Sequence, residues 1–565
     1  MAADTGEVKD FTAISDPSWA EVIDPANYFA YIHAYTPFSP PVSAAHADFK
    51  DMVSRQTRRI VNFTRGQDQV SDTVGSVTLN AFRNRQIDWD LDGTVETWRL
   101  GDIVNSTPTM VSRPAEDFDL IYNDAGYTAF YKRYENRRSV VYVGSNDGMV
   151  HAFNSGFFDK QNNKFVTRPV DENGDEIKNG GASYTDFELG SELWAYVPFN
   201  LLSHLHWLSD PTYQHIYFND LQPRIFDARI YPTKNASDSR NPNGWATVMV
   251  CGMRFGGGRI VADIDKSDGA YNSSVDKSMS SAFAIFDITD PEEPPILLAE
   301  ISFPELGFTT CHPGVILMRD FDANYQEQTN QWYLVFGSGP ISDDSSGIDG
   351  ANTTALLKGS SSQQAVIYAV DLVKLANDKQ VVTLTSSGAK TYSAAAASSA
   401  YYLTRFSEDE SFVSRPISVD WDLDFNTDVT YFGVTYGNHT NGWNGKLRRI
   451  VMDNGSNPTS FTNWTLDSTL LNLTDGVSTD LDNGQPIVAA PTASVDRGGN
   501  HWVFFGTGRF FSEEDKLNTD QQSYYGIMEP YTLSGNLKNF NYNEVSFDDL
   551  MDVTNIEVYE NGTTL

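Results

Sequence analysis

A recurrence of short β-rich runs, each closed by a Gly, Asn or Asp turn, limits the fold more than any other feature of the chain. Ser139 to Phe153 reads as strand, Asn146-Asp147-Gly148 turn, strand, which is a hairpin pattern. Ser191 to Pro198 with Gln214 to Phe218 forms a second unit, and Trp245 to Asp265 a third, bent by Gly256, Gly257 and Gly258. Further strands are expected over Ser281 to Asp287, Gln331 to Gly339, Ala365 to Asp371, Gly445 to Val451, His501 to Arg509 and Gln522 to Ile527. These units return at spacings of roughly 50 to 90 residues, which suits four-stranded blades with uneven insertions. Sheets arranged radially protect their edges without needing a strict period. The expectation is an all-β chain, a modified β-propeller of about seven blades, in preference to a sandwich or solenoid.

Only the start breaks this pattern. Residues 1–75 read as a helical, irregular lead-in. Pro17-Ser-Trp opens a short helix-like stretch, Pro37 to Pro41 interrupts it, and Phe49, Met52, Val53, Ile60, Val61 and Phe63 recur at helical spacing. The propeller is expected over 76–535 and a C-terminal extension over 536–565. Asp343 to Gln364 and the Ala/Ser-rich Ser386 to Ala400 read as surface loop insertions.

Within this frame one loop carries chemistry. Asp420 to Gly433 reads D-W-D-L-D-F-N-T-D-V-T-Y-F-G. Asp420, Asp422, Asp424 and Asp428 fall at positions 1, 3, 5 and 9, and Asn426 at position 7 can offer its backbone carbonyl, the cadence of an EF-hand-type calcium loop. Carboxylates so crowded repel one another unless a cation sits among them, and calcium takes six to eight oxygens. Two positions depart from the pattern: Phe425 replaces the usual Gly at position 6, and Tyr431 stands where a bidentate Glu would close the site. Val429 to Gly433 predicts that the loop enters a strand, not a helix. The alternative is an acidic, solvated turn.

A second cluster repeats the cadence. In Asp88-Trp-Asp-Leu-Asp-Gly-Thr-Val-Glu96, Asp88, Asp90, Asp92, Thr94 and Glu96 take positions 1, 3, 5, 7 and 9, and Gly93 occupies position 6. A second calcium site and a simple Asp-Gly hairpin turn are both open readings here.

The balance of 40 basic against 75 acidic residues, net -35, argues against nucleic acid or anionic lipid as partners and favours cations or cationic surfaces. No run of about 18 apolar residues marks a membrane span. Met1 to Glu7 is polar and acidic, not a signal peptide, so the chain is either cytosolic or begins after processing. With only Cys251 and Cys311, a cysteine-built metal site is excluded, while one disulfide and two buried thiols both remain open. His151, His312 and His439 lack metal-ligand spacing and read as partnered or exposed. Neither a Gly-x-Ser-x-Gly elbow nor a phosphate-binding Gly-Lys-Ser/Thr loop is present, and an Arg-Gly-Asp tripeptide is absent, Arg65-Gly-Gln-Asp68 coming nearest.

Several motifs, taken in order, carry a family resemblance. They are Asn62-Phe-Thr-Arg-Gly66, Phe82-Arg-Asn-Arg85, Trp98-Arg-Leu-Gly-Asp-Ile-Val-Asn-Ser-Thr-Pro108, Val141 to Phe153, Glu192 to Pro198 and Phe504-Phe-Gly-Thr-Gly-Arg509. Over about 60 to 530 the chain resembles the C-terminal propeller of PilY-type pilus-tip proteins, the type IV pilus biogenesis factors and adhesins. The resemblance implies a non-enzymatic, calcium-binding protein of the pilus tip or outer surface. It would influence pilus extension and retraction, with minor pilins and a substratum or host surface as partners. By position, Asp420 to Asp428 matches the family's calcium loop. The von Willebrand A-type domain common in the family has no counterpart in this sequence. A rival reading is a calcium-dependent quinoprotein dehydrogenase, since Tyr142 to Gly148 and Leu193-Trp-Ala-Tyr resemble quinoprotein repeats. Against it, the adjacent cysteine pair and regular tryptophan motifs of such enzymes are missing.

Overall fold

The computed structural model describes residues 38–39 and 49–564, except 179–180, 182, 263–276, 304, 322–326, 342–357, 379–382, 385–389, 392–401, 453–463, 475–484, 535–536, 541–543, 555–558 and 561–562. The helix-like stretch at Pro17 and most of the insertions 343–364 and 386–400 lie outside these residues.

Strands dominate, as the turn-bounded runs require. Five sheets follow one another along the chain, each an antiparallel meander in which spatial order follows sequence order. The first holds Thr109–Val111, Ser139–Gly144, Val150–Asp159 and Glu192–Tyr196; the second Arg224–Arg229, Trp245–Cys251, Phe283–Asp287 and Ile296–Ile301. Gly314–Phe321, Glu327–Gly337, Val366–Asp371 and Tyr402–Arg405 make the third, and Ser411–Val413, Val429–Asn438, Gly442–Val451 and Thr465–Asn472 the fourth. Thr492–Val495, His501–Gly506 and Tyr524–Met528 form the fifth. This is the blade form of a propeller-type all-β fold. Among the described residues five sheets take it, against the seven or so expected, and the remaining pairings have two or three strands.

The sheets stack face to face in chain order, and the strand period of two explains how. In Trp332-Tyr-Leu-Val-Phe336, Trp332, Leu334 and Phe336 enter a core shared with Trp245 and Val248 of the second sheet. Tyr333 and Val335 turn the other way, onto Phe432 and Val434 of the fourth. Both faces are therefore apolar, and the strand reads as an unbroken hydrophobic run instead of an alternation. Val140, Tyr142 and Ala152 join the first sheet to Met249 and Phe286 of the second, and Tyr431 and Leu447 join the fourth to Val503 and Phe505 of the fifth.

Buried polar groups reinforce these seams. Glu300, wholly buried, accepts from the Tyr196 hydroxyl and the Phe199 amide, each at 2.6 Å, and from the Asn200 side chain at 2.9 Å, tying the second sheet to the first and to the segment that follows it.

Ahead of the sheets, helix α1 (Phe49–Thr64) buries Ile60, Val61 and Phe63 against Leu201, Leu205 and Phe218. Between the first two strands of the first sheet lie α2 (Phe118–Ile121) and α3 (Ala125–Tyr134). Asp124 caps α3 by accepting from the Tyr127 amide at 2.7 Å.

One expected pairing is corrected. Glu192–Tyr196 pairs with Val150–Asp159, while 214–218 forms no strand. The latter segment instead crosses the Asn146 turn, where the Phe218 amide donates to the Asn146 side chain at 2.9 Å. Its carbonyl is pressed against Gly256, where a Cβ would come within 1.9 Å of Phe218 O. The glycine bend thus serves close backbone approach. Both cysteines are free, buried thiols, with Cys311 Sγ placed between the Gly337 amide and the Ser414 carbonyl.

Candidate metal centre

The two acidic loops share one backbone form. At position 4, Leu91 and Leu423 take φ of 60° and 58°; at position 6, Gly93 and Phe425 take 90° and 77°. In each loop the position 6 amide donates to the position 1 carboxylate, Gly93 to Asp88 at 3.1 Å and Phe425 to Asp420 at 3.0 Å. Likewise the position 7 amide donates to the position 5 carboxylate, Thr94 to Asp92 at 2.7 Å and Asn426 to Asp424 at 2.9 Å. The result is the same in both: oxygens of Asp88, Asp90 and Asp92, and of Asp420, Asp422 and Asp424, lie within 4.8 Å of one another.

Phe425 can occupy a left-handed position because its ring is anchored. It is 3% exposed, lies 3.9 Å between centroids from Tyr122 and 5.8 Å from Phe118 of α2, and carries the Arg319 guanidinium 4.1 Å above it. Arg319 in turn pairs with Asp124 at 2.6 Å. Left-handed backbone costs a non-glycine residue about 1 kcal/mol, and burying a large aromatic side chain outweighs that.

The same contacts embed the 420s loop in the body of the protein. The Tyr122 hydroxyl donates to Asp420 at 2.9 Å. Trp421 lies flat on His501 of the fifth sheet, ring centroids 4.2 Å apart. The amides of Leu317 and Arg319 donate to the side chains of Thr427 and Asn426, each at 3.0 Å. The 88–96 loop is held differently, as the tip of a two-stranded hairpin of Gln86–Ile87 with Glu96–Thr97, and its Trp89 and Leu91 are exposed.

Not every expected ligand joins its trio. Asp428 is buried and accepts from the Trp421 amide at 2.6 Å, bracing the loop from beneath. The Asn426 side-chain oxygen is taken by Arg319, which leaves the backbone carbonyl as that residue's contribution. Glu96 also stands outside its trio, but Glu96 Oε2 and Asp88 Oδ1 are each buried without a hydrogen-bond donor, a need that a cation could meet.

Electrostatics favour a cation in the embedded loop as well. Burial, with repulsion from Asp424 and Asp422, lifts the Asp420 pKa to about 6 against the opposing donors Tyr122 and Phe425. Tyr122 is pushed up in turn, by burial and by Asp420. Both trios offer hard oxygen donors, which suit calcium. The partners that shape the embedded loop, Tyr122, Phe118, Arg319 and His501, lie about 80 to 300 residues away and carry no local signal in the sequence.

Of the histidines, His151 lies between Asp147 and Glu192, at 3.1 and 2.5 Å. Burial opposes its charge, yet the two acceptors prevail and raise its pKa to about 9.

No family model matches the chain. It is 24% identical over 491 residues to a type IV pilus biogenesis factor PilY1 homolog of Xylella fastidiosa, covering 84% of this chain and 29% of that protein. With type IV pilus biogenesis factor PilY1 of Pseudomonas aeruginosa it shares 23% identity over 494 residues, 82% of this chain and 32% of the relative. The chain thus spans about a third of the length of these relatives. Among solved structures, the Pseudomonas aeruginosa PilY1 C-terminal domain aligns at TM-score 0.43 and 19% identity, covering 74% of this chain and 64% of that one. The sequence relationship bears out the resemblance carried by the motifs.

Proposed function

On the premise that the chain is a relative of the PilY1-type pilus biogenesis factors over most of its length, we propose that it is a calcium-responsive, non-enzymatic module of the type IV pilus system. It acts at the cell surface or pilus tip, meets minor pilins and a substratum or host surface, and biases pilus extension against retraction. The observation that supports calcium most directly is the convergence of Asp420, Asp422 and Asp424 within 4.8 Å, at a place tied to α2 and the fifth sheet.

Bound calcium supplies the positive charge that cancels the mutual repulsion of these carboxylates. The protein's own residues do the rest. Tyr122 orients Asp420, Asp428 fixes the Trp421 amide, and Phe425 locks the turn into the core. Because the loop touches several elements, ordering it also firms the surface they share, and ion affinity becomes folding free energy. Asp88, Asp90 and Asp92, with Thr94 and Glu96 in the same loop, would make the second, structural site, on an exposed hairpin.

Calcium titration by calorimetry tests the reading. Asp420→Ala removes one ion site, Asp88→Ala the other, and in cells Asp420→Ala changes the number of surface pili. Unchanged stoichiometry in Asp420→Ala overturns the calcium assignment.

A further inference from the structure

Three arginines that neither acidic loop employs meet in one cleft. Four of the motifs that carry the family resemblance, around Phe63, Arg83, Trp98 and Asn146, converge on a cavity of about 540 Å³, within the range of small-molecule sites. Arg83, Arg85 and Arg99 line it. Two of the guanidinia are held by their flat faces, Arg83 4.1 Å over the Tyr213 ring and Arg85 3.6 Å over Phe63. That mode of support leaves the hydrogen-bonding edges unspent.

Three of those nitrogens lack acceptors. Arg83 Nε and Arg85 Nε and Nη2 are buried with no hydrogen-bond partner, although the Arg85 side chain is only 10% exposed. The nearest carboxylate, Asp68, stands 3.5 Å from Arg85 Nη2, too far for a good hydrogen bond, and its other oxygen accepts from the Thr97 hydroxyl at 3.1 Å. The acids lining the cleft are engaged elsewhere: Asp102 with His215 at 2.7 Å, and Asp147 with the Gly101 amide at 2.9 Å and with His151. Burial lowers the Arg85 pKa, and repulsion from Arg83 and Arg99 adds to it against the pull of Asp68. In a chain of net charge -35, three arginines gathered around one cleft run against the composition, and the ion pair that Arg85 makes with Asp68 is a long one. Leaving such donors unmet is costly unless a ligand meets them.

We propose that this cleft binds an oxyanion, a carboxylate or phosphate group, borne on an apolar or aromatic body. The guanidinium edges match the paired oxygens of such a group. Half-exposed Trp98 and Ile87 supply an apolar wall for the body.

Calorimetric titration of the full chain at low salt with phenyl phosphate, 3-phenylpropionate and inorganic phosphate tests this. One of the two aromatic anions binds at a single site and more tightly than inorganic phosphate, and which of them wins identifies the head group. Arg85→Gln weakens that binding by about tenfold or more, the loss of one charge-assisted bond. Asp68→Asn, by removing the negative charge that competes for Arg85, strengthens it about threefold, a gain that a damaged fold cannot produce. Trp98→Ala weakens the aromatic anion and spares inorganic phosphate. The proposal falls if none of the three probes saturates by ~10 mM, if Arg85→Gln binds undiminished, or if Asp68→Asn binds no better than the parent.

Discussion

Phe425 shows how a residue that looks wrong for its position can be right for its surroundings. Phe425→Gly would relieve the positive φ by about 1 kcal/mol but forfeit a buried aromatic worth about 3 to 5 kcal/mol. A net loss of about 2 to 4 kcal/mol in denaturant unfolding is therefore expected. Asp420 makes a second prediction at this scale. Its folded pKa of about 6 lies above its ordinary 3.8, so in calcium-free protein its contribution is fully present below about 3.8 and is lost as pH rises through about 6. Between those limits the melting temperature of chelated protein falls with rising pH relative to Asp420→Asn, in which the dependence is absent. With calcium present the sign reverses, because protons compete for the same oxygens and affinity drops below about pH 6.

Among elements, the seams between sheets rest on a few buried polar anchors set in apolar faces. Glu300→Ala leaves the Tyr196 hydroxyl, the Phe199 amide and the Asn200 side chain without an acceptor, and a loss of about 3 to 5 kcal/mol should appear in chemical denaturation. Much at this scale could be read from the residues. The run Gln331 to Gly339 announces a strand, Val429 to Gly433 a strand after the loop, and the D-W-D-L-D cadence two loops of one form. What could not be read was assembled at long range. Gln214 to Phe218 has strand-like residues but crosses a turn, and Tyr122 reaches Asp420 from 298 residues away. The positive φ shared by Leu91 and Leu423 was likewise hidden, since leucine does not advertise it.

Across the whole molecule, the five meanders draw their stability from paired apolar cores, and in the proposed reading a bound cation adds to the packing and hydrogen bonds that hold the acidic loops. Removing calcium should therefore leave the far-ultraviolet circular dichroism of the β-sheets largely unchanged at room temperature while lowering the melting temperature. Global unfolding by chelator would contradict that division. The flat stack of Trp421 on His501, with planes 4° apart, has a consequence of another kind. An imidazole lying against an indole drains its excited state, so the emission of this one fluorophore tracks how closely the turn rests on the neighbouring sheet. The protein thus carries, in one of its eleven tryptophans, a native optical gauge of how this turn is seated, with no dye or label attached.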